Sequence, residues 1–75
     1  MSGGGLRKRS VTLSGHATSL ALEPAFWAAL EAMAREGGRS LAAMIAGIDE
    51  GRGDQPLASA CRTAALAWAM QRERP

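Results

Sequence analysis

The sequence is poor in the residues that staple a small protein or run chemistry. It has one cysteine and one histidine, so no disulfide can close within the chain and no Cys/His set can hold a structural zinc ion. A reduced, cytoplasmic setting is expected, with no metal and no cofactor. No apolar run approaches the roughly 18 residues of a membrane span, and the N-terminal residues lack the apolar core of a secretion signal. No membrane contact is expected. His16 has no second histidine or thiol near it and no carboxylate before Glu23, so it reads as a turn residue hydrogen-bonded to backbone. Cys61 falls within an apolar helical row and reads as a small core side chain. With no base, nucleophile or metal set converging anywhere, enzymatic activity is not expected.

Length is the next shortage. A chain of 75 residues buries a small share of its surface. Each large apolar side chain contributes roughly 1.5–3 kcal/mol when buried, against about 1.5 kcal/mol for ordering each residue. A second copy of the chain is the expected remedy.

What is present is unevenly placed. Net charge is only +2, but Arg7, Lys8 and Arg9 stand in residues 1–22 without any acid, whereas Glu23, Glu31, Glu36, Asp49 and Glu50 face only Arg35 and Arg39 in residues 23–51. The remaining residues are again basic. A polyanion partner near the N-terminus fits that asymmetry.

The stretch from Val11 to Trp27 changes period in its middle. Thr18, Leu20 and Leu22 alternate with Ala17, Ser19 and Ala21, as a strand requires. From Pro24 the spacing is helical, and proline suits a first helical turn. Val11 and Leu13 form their own alternating segment, with Gly15 as the natural break. Strand segments are expected at about 11–13 and 18–22. Residues 1–8 read as a flexible basic arm, and 9–72 as one domain.

Three helices follow. The first is expected at about 24–36, with Phe26, Leu30 and Met33 inward, a Glu31–Arg35 pair outward, and a stop at Gly37-Gly38, where the cap needs positive φ. The second, at about 40–50, takes Ser40 as N-cap and buries Leu41, Met44, Ile45 and Ile48; Ala43, Ala46 and Gly47 leave a side open to close helix approach. The third, at about 56–71, takes Asp54 or Gln55 as cap. It carries Leu57, Cys61, Ala64 and Trp68 on one face with Leu66 and Met70 nearly opposite, so a second surface, from another subunit or a protein partner, is expected on it.

A strand entering a helix, a glycine corner and a Ser-capped second helix resemble the ribbon-helix-helix superfamily of bacterial DNA-binding proteins. The residues that carry the likeness are Thr18 to Leu30 and Gly38 to Leu41. More narrowly, Arg9 to Glu23, with its Gly-His-x-Thr-Ser string, resembles a group of short bacterial members. The resemblance implies a mainly α fold with a short N-terminal β ribbon, an intertwined homodimer in which strands of two chains pair, and an additional C-terminal helix beyond the minimal fold. It also implies that the ribbon enters the major groove of double-stranded DNA and that the N-termini of the second helices hold phosphates. Carried onto this chain, Ala17, Ser19 and Ala21 become the base-facing ribbon residues, and Arg7, Lys8, Arg9, Arg39, Ser40 and Leu41 the phosphate contacts. Alanine offers a base nothing but contact with a thymine methyl, so base reading is expected to be limited and phosphate contact to dominate. A rival reading is a dimerisation or protein-interaction module that keeps the fold without specific DNA binding. If residues 11–13 also pair, the ribbon broadens into a sheet, and whether they then cover the face that meets DNA is left open by the sequence.

Overall fold

The computed structural model describes residues 5–73. A β hairpin, β1 (Arg7–Leu13) and β2 (His16–Leu22), is followed by α1 (Pro24–Glu36), α2 (Leu41–Gly51) and α3 (Leu57–Arg72). The two strands pair antiparallel within the one chain, from Leu13 opposite His16 at the turn to Arg7 opposite Leu22 at the open end. The neighbour that β2 needs for its backbone groups is therefore β1 of its own chain.

The turn explains the register. Ser14 and Gly15 form a two-residue loop with φ of 52° and 80°, the positive pair of a type I′ turn, whose twist matches that of the strands it joins. Serine is a poor occupant of the left-handed region. Ser14→Asn creates the preferred Asn-Gly pair and is expected to raise stability by about 0.5 kcal/mol, read as a higher urea midpoint at unchanged slope.

Alternation then sorts the hairpin into two faces. Val11, Leu13, Leu20 and Leu22 are buried against the helices together with Trp27, Leu30, Ile45 and Cys61, and Leu22, Leu30, Ile45 and Cys61 are fully enclosed. β1 packs on α2, β2 on α3, and α1 on both other helices. Residues 7 and 8, expected on a flexible arm, belong to β1; residues 1–4 of that arm lie outside the described residues.

The helix ends follow local chemistry, with departures from expectation. Pro24 opens α1, and Gly37 caps it at φ −86°; the positive φ of 68° falls one residue later, on Gly38. The inward face of α1 centres on Trp27, Leu30 and Ala34, with Phe26 and Met33 half-buried. Ser40 caps α2, its Oγ accepting from the Ala43 N–H at 3.1 Å. Ala43 and Gly47 are exposed, and among the described residues no helix packs along that side of α2. Pro56 occupies the N-cap of α3, with no side-chain cap from Asp54 or Gln55. Without an N–H of its own, proline leaves no donor wanting a partner there.

α3 is joined to α1 at two levels. Arg62 donates to Glu23 at 2.9 Å and lies 5.7 Å from the Phe26 ring centroid. Farther along, the Trp68 indole donates to Glu36 at 3.1 Å, and Arg72 pairs with the same carboxylate while stacking 4.9 Å from the Trp68 ring. The hydrogen bond from Arg62 is the main reason the Glu23 carboxyl lies below its ordinary value. A lowered folded-state pKa contributes stability above the unfolded value and loses it as pH falls. Glu23→Gln is accordingly expected to flatten the acid limb of stability below about pH 4.5, measured by thermal melts from pH 6 to 2.

Candidate nucleic-acid interface

The outer face of the hairpin is made of alternate residues from both strands. The register sets Lys8 opposite Ala21, Ser10 opposite Ser19 and Thr12 opposite Ala17. Five of the six are exposed and Ala21 is half-buried. Of the three residues expected to face a base, Ala17 and Ser19 therefore stand open and Ala21 is half-buried, with β1 beside them in the plane of the sheet. Val11 and Leu13 point the opposite way, into the core, and do not cover Ala17, Ser19 and Ala21.

The three N-terminal cations divide between the two faces. Lys8 is on the outer face. Arg7 and Arg9 fall in the inward row, opposite Leu22 and Leu20, where the hairpin passes over the first half of α1. There the Trp27 indole N–H donates to the Arg7 carbonyl at 2.8 Å. The Arg9 guanidinium lies 4.6 Å from the Trp27 centroid and pairs with Glu31 at 3.1 Å. Glu31 thus serves Arg9 and not Arg35. A charge held over an indole face and hydrogen-bonded to a carboxylate gains from both contacts, whereas an exposed i, i+4 pair on one helix gains only a few tenths of a kcal/mol. The same residues, with Lys8, Pro24 and Ala28, line an open groove of about 450 Å³.

Cations that carry no carboxylate partner among the described residues are Arg7, Lys8, Arg35 and Arg39. Arg9 is committed to Glu31 and Trp27, which leaves less of its charge for an external phosphate.

The second group of expected phosphate contacts sits at the corner between α1 and α2. With Ser40 Oγ holding the Ala43 N–H and the Ser40 carbonyl holding Met44, the N–H groups of Leu41 and Ala42 remain without a partner among the described residues. They point out of the helix N-terminus, where the macrodipole also favours an anion. The Leu41 side chain itself packs against the core. Arg39 lies back along α2, with a guanidinium nitrogen 3.5 Å from where a Cβ on Gly47 would be. No hydrogen bond or ion pair among the described residues joins this corner to the hairpin.

Other features of the sequence fall away from these surfaces. His16 is exposed beside the turn, and Cys61 is buried, its thiol pushed up mainly by desolvation. Among the described residues no three His, Cys, Asp or Glu side chains come together to hold a metal ion, and no helix is long and apolar enough to cross a membrane.

An antiparallel ribbon leading into a helix, a glycine corner and a Ser-capped second helix describe a known family, and the model of the ribbon-helix-helix domain matches residues 6–69. The chain belongs to the ribbon-helix-helix domain family. No curated protein and no solved structure gives a significant match. Ribbon-helix-helix proteins are generally DNA-binding transcription regulators that act as dimers, and they are typically non-enzymatic. The match includes nearly all of α3, so in this ribbon-helix-helix chain the third helix is part of the matched domain.

Proposed function

We propose that this ribbon-helix-helix protein is a bacterial, cytoplasmic transcription regulator of the short group marked by Gly15-His-Ala-Thr-Ser19, and that it binds duplex DNA as a homodimer. The observation that carries the reading is the outer face of the hairpin: largely exposed, free of acids and of large apolar side chains between residues 7 and 22, and carrying Lys8, which like the neighbouring Arg7 has no carboxylate partner among the described residues. Such a face has little apolar area to bury against a protein, whereas a two-stranded ribbon fits the major groove of B-DNA. Phosphates are held by Arg7 and Lys8 at one end. Arg39, Ser40 and the N–H groups of Leu41 and Ala42 hold them at the corner, while Arg9 contributes through its position in β1. Ala17 and Ala21 read no donor or acceptor, so affinity rests mainly on phosphate contacts.

The dimer contact falls on α3. β1 already fills one edge of β2, so a second copy is not needed to complete a ribbon. Leu66 and Met70, one helical turn apart, are 58% and 61% exposed, and two copies meeting there cover both. A fluorescence-anisotropy titration of labelled duplex at 20–300 mM salt tests the proposal. It predicts binding whose logarithm falls linearly with the logarithm of salt concentration. Absence of binding to any duplex at the lowest salt overturns it.

The same two side chains favour the rival reading, a protein-interaction module working through α3. Duplex binding by the wild type separates the two: its absence, together with loss of a partner other than a second copy in Leu66→Ser/Met70→Ser, supports the module.

A further inference from the structure

Among the described residues, Glu31 is the only acid lining the groove at the basic end of the hairpin, beside Arg7, Lys8 and Arg9. We propose that Glu31 sets the duplex affinity of this protein by occupying Arg9: its carboxylate takes the place of a DNA phosphate, so that Arg7 and Lys8 hold the duplex while Arg9 is withheld from it. The inference rests on the reading of the chain as a duplex-binding protein and names the residue that limits how tightly the basic end binds.

The location of Arg9 suits a phosphate. β1 is one edge of a two-stranded sheet and has no strand on its outer side among the described residues. Strands lie about 4.8 Å apart, so a hairpin fits within a major groove about 12 Å wide, whose walls are the phosphate backbones. The edge of β1 then runs along one wall. Arg9 stands on that strand with 44% of its side chain exposed.

Its charge, however, is already answered. Two neighbours share the guanidinium, and they do different things to it. Trp27 seats it, 4.6 Å from the ring centroid, and the ring is itself fixed by burial and by its N–H bond to the Arg7 carbonyl. That seat does not depend on Glu31. What Glu31 adds is a negative charge, its Oε2 accepting from an Arg9 nitrogen at 3.1 Å. The donors that serve a carboxylate are those that serve a phosphate. A phosphate that approaches Arg9 must therefore displace Glu31 or settle close to a like charge. Arg35, one turn along α1 and without a carboxylate partner among the described residues, offers Glu31 an alternative that the fold does not use. The Arg9–Glu31 pair is nearly half exposed on both sides, so it adds little to stability. Its consequence falls on binding.

Anisotropy titrations of labelled duplex with the full chain, over the same salt range, test the proposal. Glu31→Gln is expected to bind about tenfold more tightly per chain at 0.1 M salt and to steepen the logarithmic salt plot by about 0.9 per chain, about 1.8 for the dimer, because Arg9 joins the phosphate contacts. Glu31→Ala, which removes the acceptor as well as the charge, is expected to change both quantities in the same direction. Arg9→Gln/Glu31→Gln is expected to return to the wild-type slope. Circular-dichroism melts establish that each variant is folded; a purely structural pair lowers the melting temperature and leaves the slope where it was. Unchanged or weaker binding at unchanged slope in both Glu31 variants overturns the proposal. So does a gain that persists in Arg9→Gln/Glu31→Gln, since the carboxylate then acts without Arg9. No duplex binding by the wild type or the Glu31 variants at the lowest salt overturns the underlying reading and the proposal with it.

Discussion

Replacing Trp27 by alanine is expected to leave the chain largely unfolded in mild denaturant, at a cost of about 3–5 kcal/mol. A domain of this size has a total stability of roughly 4–11 kcal/mol, so one side chain accounts for a large fraction. Three contacts converge on it. The ring is 4% exposed within the core formed by the hairpin and the helices; its N–H holds the Arg7 carbonyl; and its face carries Arg9, which Glu31 fixes from the next turn of α1. Removal opens a cavity at the start of α1 and releases the basic end of β1. Urea denaturation is the measurement, and a loss of less than about 1 kcal/mol would show that the ring merely fills space beside a hairpin held elsewhere. Trp27→Phe keeps most of the buried area and loses the donor, so its smaller deficit isolates the bond to Arg7.

The charge reversal Arg7→Glu/Lys8→Glu is expected to weaken duplex binding on the order of 100-fold per chain at 0.1 M salt. Each phosphate contact contributes a slope of about 0.9 in the logarithmic salt plot, hence nearly a decade of affinity at that concentration, and two contacts are lost. The slope itself should fall by about 1.8 per chain, about 3.6 for the dimer. Arg9 is left in place because its guanidinium is bound to Glu31 and Trp27; reversing it would confuse a folding defect with a binding defect. The expected stability change for the pair is small, since neither side chain has a carboxylate partner among the described residues. Anisotropy titrations with wild type and variant at several salt concentrations decide it, and equal affinities would remove the N-terminal cations from the interface.

Much of the fold could be read in advance because its signals are local. The alternation of Thr18, Leu20 and Leu22 sets the inward face of β2, Pro24 marks the switch to a helix, and Ser40 after a glycine pair marks the corner. The extent of β1 could not be read this way. Arg7 to Ser10 is a polar run with no apolar alternation, and what makes it a strand is the ladder to Ala21 and Leu22 and the Trp27 bond to the Arg7 carbonyl, both non-local. Missing the length of β1 concealed the row of Lys8, Ser10 and Thr12. The alternation that turned Ala17, Ser19 and Ala21 outward would have found that row had it been extended through the Ser14-Gly15 turn.

Long-range partners also redirected the charges. Glu31 has a suitable neighbour in Arg35 along its own helix, yet Arg9 takes it, because β1 crosses above α1 at that point. Glu23, which stands at the start of α1, is held by Arg62 from α3. Helical periodicity alone does not show which face of one helix meets another element. The outer side of α3, with Leu66 and Met70, was legible as an apolar stripe, and within a single chain it remains exposed.

The central claim is that duplex DNA meets the outer face of the hairpin. Amide chemical-shift mapping of the full chain on titration with a duplex tests it most directly. The account predicts that the largest changes fall on Lys8, Ser10, Thr12, Ala17, Ser19 and Ala21, with a second group at Leu41 and Ala42, and that both fade as salt is raised. Changes confined to the outer side of α3, around Thr63, Leu66 and Met70, or no change at low salt, would contradict it.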